Sequence, residues 1–274
     1  MNVAVGLGRL GHEVLLQSEI GDDAHGELIT AHLASSGVQL AAGSVTTQPT
    51  SSATVTLDAQ RNAVYDFQLH WTLPSVAATS AQLLHTGSIA AFTGPSSARI
   101  RSLYASSPAT QLRSYDPNLR PALAEDHAAV LEQVEALATL SHVVKLSDED
   151  AAWLYPGLAP GAVLDRLLGL GTVLAVMTRG GEGALARTRD GGQFTIAPLK
   201  VQVADTVGAG DAFMSGLLHA ISTTELAASL LAGTAPAQLV ESALATAAAS
   251  AGLTVAKTGA NPPALADLDA ALRG

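Results

Sequence analysis

The feature that most constrains this chain is a change of rhythm near residue 80. From there, short apolar runs at 83–89, 112–115, 142–146 and 172–177 alternate with stretches of helical periodicity. Strands separated by helices need right-handed crossovers, and these lay the strands side by side in a mostly parallel sheet covered on both faces. Two alternating runs, 53–58 and 63–69, precede this region and read as an antiparallel hairpin, since Val55 and Leu57 share no face with Thr54 and Thr56. A second hairpin is predicted at 184–188 and 193–197, turned by Asp190-Gly191-Gly192. Ahead of the first, residues 2–10 suit a helix ended by Gly11, 13–17 a strand, and 27–35 a helix stopped by Gly37. From Gly210 onward the pattern is almost wholly helical. The expectation is one α/β domain over residues 1–274, with a small β-hairpin lid at about 45–70.

Composition limits the partners. Hydrophobic residues make up 48% of the 274 and charged residues 14%, far from the disordered regime. A net charge of −10 argues against nucleic acid or an anionic membrane as partner, so an anionic ligand would have to be held by local devices. The apolar stretch 226–255 is interrupted by Pro236, Gln238 and Glu241, which argues against a membrane span. No basic leader precedes a long apolar run at the start, and there is no cysteine. A cytoplasmic protein is expected.

Gly6-Leu-Gly8-Arg-Leu-Gly11 matches the dinucleotide fingerprint GxGxxG letter for letter. That motif must follow a strand and open a helix, so that pyrophosphate meets the helix N-terminus. Here almost nothing precedes it and a strand-like run follows directly, so the match is rejected. All three lysines follow a residue other than glycine, which excludes a Walker A loop. The eight histidines form no HExxH pair, and there is no GxSxG elbow.

The informative stretch is Asp205-Thr-Val207-Gly208-Ala209-Gly210-Asp211, opening a helix whose apolar face carries Phe213, Leu217 and Ile221. Small residues allow close approach of a ligand to the backbone. The unpaired first-turn amides, with the positive end of the dipole behind them, suit phosphoryl oxygens. Asp211, beside that site, can take a proton from an attacking hydroxyl. The spacing alone leaves a second reading equally open, in which Asp211 only complements the dipole.

This stretch resembles the C-terminal signature of the ribokinase-like (PfkB-type) carbohydrate kinases over more than a dozen positions. Asn2-Val-Ala4, then Gly11 and Gly21, resembles part of the family's other signature, and Gly21-Asp22-Asp23-Ala-His-Gly26 resembles the segment after its second strand. Asp116-Pro-Asn118-Leu-Arg120-Pro is similar to a run of fructokinases and 2-keto-3-deoxygluconate kinases, and Thr178-Arg-Gly180-Gly-Glu-Gly183 to the nucleotide loop. The matches cover nearly the whole chain in the family's order.

The resemblance implies a ribokinase-like fold and phosphoryl transfer from ATP to a hydroxyl of a small carbohydrate. Asp211 is then the base, and the amides of Gly208, Ala209 and Gly210 form the anion hole. Thr178, Gly180 and Gly183 line the nucleotide site. Asp205 and the carbonyl of Val207 match a site for a monovalent cation such as K⁺, unless Asp205 merely caps its turn. Mg²⁺ accompanies ATP, held mostly through phosphates and water. The Asn-x-x-Glu element of the family, which influences Mg²⁺, becomes Ser147-Asp-Glu-Asp150, a spacing that equally suits a helix cap. Asn2 contacts a sugar hydroxyl; Arg120 holds the substrate or is a surface residue; Tyr65 and Phe67 close over the sugar or simply pack. A homodimer through the lid is also implied. Relatives carry about one further strand ahead of the Asn, ending in an Asp that grips sugar hydroxyls, whereas this sequence starts in mid-motif. A fructokinase-like activity is expected, with 2-keto-3-deoxygluconate kinase, nucleoside kinase and a non-catalytic sugar- or nucleotide-binding relative as alternatives.

Overall fold

The computed structural model describes residues 1–57, 63–73, 80–124 and 126–273, and for 54–57 and 63–67 the backbone only. The chain opens with α1 (Asn2–Arg9), β1 (Val14–Leu16), β2 (Ile20–Gly21), α2 (Ala24–Ser35), β3 (Val38–Leu40) and β4 (Val45–Thr46). The hairpin β5 (Ser52–Leu57) and β6 (Ala63–Gln68) follows, then β7 (Leu83–Gly87), α3 (Gly94–Ser106), β8 (Leu112–Asp116), α4 (His127–Ala138) and β9 (Val143–Ser147). The C-terminal half holds α5 (Asp148–Leu154), α6 (Pro160–Leu170), β10 (Leu174–Thr178), β11 (Ala184–Thr188) and β12 (Gln193–Ile196). Last come α7 (Ala209–Ser222), α8 (Leu226–Leu231), α9 (Ala237–Val255) and α10 (Leu265–Arg273).

The main sheet has six strands in the order β12-β11-β10-β9-β8-β7. β7 to β10 are parallel, as the strand–helix rhythm requires, and β11 and β12 complete the sheet as an antiparallel hairpin. Period-2 alternation divides β10 between two cores: Ala175 and Met177 face the layer of α3 to α6, while Leu174 and Val176 face α7, α8 and α9. Helices therefore cover both faces. Small residues bring the second layer close, since a Cβ on Gly216 would stand 2.7 Å from Ser250 Cβ and 3.0 Å from Ala247 Cα. This close α7–α9 packing gives the Ala- and Ser-rich C-terminal sequence its role. The apolar 226–255 stretch is two helices, and among the described residues no helix is long and apolar enough to cross a membrane.

Some boundaries differ from the sequence expectation for local reasons. α2 starts at Ala24, ahead of the predicted 27, because Asp23 caps it, accepting from Gly26 N at 2.9 Å. β2, β3 and β4 run only two or three residues, too short for periodicity to reveal. Residues 45–46 pair with β2, so the antiparallel hairpin comprises only β5 and β6. Its 58–62 connection lies outside the described residues. β1 pairs in parallel with β3; among the described strands neither bonds to the main sheet, and β7 ends that sheet. The glycines of the rejected GxGxxG match lie in and just after α1, where Gly6 and Gly8 are packing points: an added Cβ would run into Ser215 and into the Ser36 carbonyl.

Candidate active site

Three strands of the main sheet end on polar residues at one edge: β8 on Asp116, β9 on Ser147 and β10 on Thr178, the last two directly paired. Ligand sites of open α/β sheets lie at this carboxyl edge. α7 begins over it. Its N-cap Gly208 has φ +78°, a left-handed conformation that favours glycine, and a Cβ there would stand 2.6 Å from Ala260 Cβ. Ala209 N–H is donated to Thr206 O at 3.2 Å and Ala212 N–H to Gly208 O at 2.8 Å. No backbone carbonyl among the described residues takes the N–H of Gly210 or Asp211. Gly208 N–H likewise has no backbone acceptor there, so the turn presents the amides of Gly208, Gly210 and Asp211 at the positive end of a 14-residue helix, whereas Ala209, expected in the anion hole, spends its N–H within the turn.

Asp211 sits in that first turn. Asn2 Nδ2 donates to its Oδ2 at 2.8 Å, and Asn118 Nδ2 approaches Oδ1 at 3.4 Å. Just past the end of α1, His12 Nε2 meets His219 Nδ1 of α7 at 2.9 Å, so α1 runs beside α7 in the same direction. Asn118 itself takes φ +40°, which an Asn tolerates better than most residues, and its carbonyl accepts from Ser88 Oγ at 3.2 Å. Arg120 folds back on this loop, donating to Asn118 Oδ1 and Leu119 O, both at 2.7 Å. It is exposed and reaches Asp211 only through Asn118.

Beneath the turn, Lys145 Nζ stands 3.0 Å from Asp116 Oδ2, and both side chains are buried. Burial pushes the Asp116 carboxyl up to about 6, opposed by the Lys145 charge and hydrogen bond. For Lys145 burial alone would lower the pKa, but Asp116, Asp150 and Asp211 together raise it.

Ser147 and Asp150 form a reciprocal capping box on α5, with Ser147 N to Asp150 Oδ2 at 3.1 Å and Asp150 N to Ser147 Oγ at 2.9 Å. Asp150 Oδ1 also accepts from Leu119 N at 2.8 Å, tying α5 to the Asn118 loop. Thr178 Oγ1 lies 3.5 Å from Leu146 O. Gly180 and Gly183 both have positive φ in the tight turn after β10, and a Cβ on Gly183 would strike the Ile196 carbonyl. Asp205 spans the approach to α7, accepting from Val207 N at 3.0 Å and Gly259 N at 2.8 Å, and these bonds lower its pKa. Val207 is exposed beside it. Tyr65 and Phe67 pair with Val55 and Ala53 along the hairpin backbone, and their side chains lie outside the described residues.

Sequence reasoning passed over Asn118, Asp116 and Lys145 as site residues. A signal for the last was present: a lysine inside Val-Val-Lys-Leu, an otherwise apolar strand, has to find a buried partner.

Residues 1–267 match the pfkB family carbohydrate kinase profile, which covers the helix-start turn, the strand edge and α1 together. The chain belongs to the pfkB carbohydrate kinase family. Its reaction class is therefore phosphoryl transfer to a sugar hydroxyl. The chain is 32% identical over 233 residues to a fructokinase of Rhizobium leguminosarum bv. trifolii, covering 82% of this chain and 71% of that one. Among solved structures it is similar to the fructokinase of Vibrio cholerae O395 with fructose, ADP and calcium bound, at 26% identity and TM-score 0.81, covering 99% of this chain and 89% of that one. A double mutant of that enzyme with fructose, ADP and potassium bound gives the same identity and TM-score, over 99% and 88% of the chains. The expected ribokinase-like fold and carbohydrate kinase chemistry hold.

Proposed function

We propose that this pfkB-family kinase transfers the γ-phosphoryl group of ATP to a hydroxyl of D-fructose or a close ketose, with Asp211 as the base. The observation that carries this reading is the carboxylate of Asp211 in the first turn of α7, beside the helix-start amides without a backbone acceptor and held from both sides by Asn2 and Asn118. A sugar hydroxyl in the place where Asn2 and Asn118 now meet the carboxylate would give its proton to Asp211. The new O–P bond forms as the bond between the γ-phosphorus and the bridging oxygen breaks, and ADP leaves with that electron pair. Charge on the transferring group is taken up by the helix-start amides. Asn2 serves a sugar hydroxyl as well as the base; Arg120 acts on substrate through Asn118. The choice of fructose rests on the fructokinases to which the chain is similar.

ATP would lie along the carboxyl edge, past Ser147 and Thr178 to the Gly180–Gly183 turn. Mg²⁺ would accompany ATP, carried mostly by phosphate oxygens and water. The Asp205 carboxylate and the Val207 carbonyl form an oxygen donor set that fits K⁺. Asp205 keeps lone pairs beyond the two N–H groups it accepts, and it joins the turn that leads into α7. When bound, K⁺ would supply fixed positive charge beside the anion hole. The β5–β6 hairpin is read as a lid over the sugar, with Tyr65 and Phe67 on its second strand, and as the contact of a homodimer. The cytoplasm is the proposed compartment, in keeping with a chain that has no cysteine.

The test is a coupled assay of ADP release over D-fructose, 2-keto-3-deoxygluconate, D-ribose and adenosine. D-Fructose should give the highest kcat/KM. A higher value for any other acceptor would reassign the substrate, and ATP and sugar binding with no turnover on any of them would support a non-catalytic relative.

A further inference from the structure

Period-2 alternation puts a row of polar groups where the α7-facing core would otherwise continue. Leu112 and Val143 belong to that core. Two residues on in each strand stand Ser114 and Lys145, and then Asp116 ends β8. His85 Nδ1 meets Ser114 Oγ at 3.0 Å, so the row reaches β7. Asp116 and Lys145 are the next positions on β8 and β9 after the last paired residues, Tyr115 and Val144.

The place of the ammonium is unusual. Lys145 is 3% exposed, and its Nζ stands 3.1 Å from the point a Cβ on Gly210 would occupy. It therefore lies against the first turn of α7, the positive end of a helix, where a buried cation is locally unfavourable. Asp116 offsets only part of this, since its buried Oδ1 has no hydrogen-bond partner among the described residues. Had the pair served only to join β8 and β9, an apolar pair would have met the same need without burying charge. A local rule broken at a site is explained when an anion arrives there.

We propose that Lys145, seated by Asp116, is a positioning residue for phosphoryl transfer: its ammonium fixes the Gly208–Gly210 turn and raises the positive potential that the transferring phosphoryl group meets. This rests on the reading of the α7 turn as the phosphoryl site. The charged and titratable groups facing Lys145 and Asp211 are Asp116 from β8, Asp150 from α5, His85 from β7 and the α-amino group of Met1.

Lys145→Met alone strands a buried carboxylate and endangers folding, so the deciding variant is Lys145→Met/Asp116→Asn, which removes both charges and keeps the volumes. Its melting temperature, its affinity for Mg·ADP, its affinity for Mg·ADP with aluminium fluoride as a mimic of the transferring group, and its turnover of D-fructose are measured beside the parent. The expected result is a folded protein with unchanged ADP affinity. It should lose at least about tenfold in aluminium fluoride affinity and in kcat. Parent-like aluminium fluoride affinity and kcat in a folded double variant would overturn the proposal. If the parent does not turn over D-fructose, the aluminium fluoride ratio alone decides. Should Asp211→Asn keep its turnover while the double variant loses it, the base assignment fails and the role of Lys145 stands.

Discussion

Asn2 and Asp211, 209 positions apart, are joined by a 2.8 Å hydrogen bond from Nδ2 to Oδ2, which sets the start of α1 against the start of α7. One end of the chain thereby helps to aim a carboxylate near the other. Hydrogen bonds to charged groups contribute about 1.5–3 kcal/mol net. Asn2→Ala should therefore lower kcat/KM for the sugar by about 10- to 100-fold. ADP affinity should stay near that of the parent, because the hydrogen bond of the Asn2 side chain goes to Asp211 and not to the strand edge proposed for the nucleotide. Steady-state kinetics with ADP titration checks both.

The Gly208 turn tolerates little. An alanine there must hold φ near +78° and place its Cβ 2.6 Å from Ala260 Cβ. The left-handed conformation alone costs about 1–2 kcal/mol. Gly208→Ala should lower Tm by about 2–8 °C and lower kcat by more than that loss of folded protein explains. A thermal melt at the assay temperature separates the two effects.

Asp205 links the cation reading to the turn. K⁺ should stimulate turnover more than Na⁺ or Li⁺ at matched ionic strength, and Asp205→Ala should lower kcat and erase the difference between the salts. Equal rates in all three salts, with Asp205→Ala harmless, would remove the cation site.

His85 offers a pH test of the buried row. Burial first, then the charges of the Met1 amino group and Lys145, lower its pKa to about 3, below the usual 6.5. The folded protein holds it neutral while the unfolded chain protonates it near 6.5. Its contribution is therefore intact above pH 6.5 and is lost progressively as pH falls toward 3. Each unit in that window costs up to about 1.4 kcal/mol. His85→Asn, which keeps a donor toward Ser114, should show a shallower fall of Tm between pH 6.5 and pH 4.

Much of this was legible because it rests on local pattern. The strand–helix rhythm from residue 83 to residue 178 fixes a parallel sheet, and glycines before an acid at a helix start point to an anion site whatever the surroundings. The rest depends on partners far apart in sequence. Nothing local tells that Asp116 will meet Lys145, or that Asp150, besides capping α5, will hold Leu119 N from 31 positions away. Ser147 shows the limit from the other side: a capping box and a nucleotide contact use the same residue types at the same spacing, and the bonds at 2.9 and 3.1 Å establish the cap. Strands as short as Ile20–Gly21 are set by the neighbour they pair with, here β4, which periodicity cannot reveal.

The most direct test of the central claim is the turnover of Asp211→Asn with ATP and D-fructose, beside its affinity for ADP. The substitution keeps the shape and removes the proton acceptor. With Asp211 as the general base, kcat should fall by about 10²–10⁴-fold while ADP affinity stays within a few-fold of the parent. Turnover within a few-fold of the parent would contradict the account.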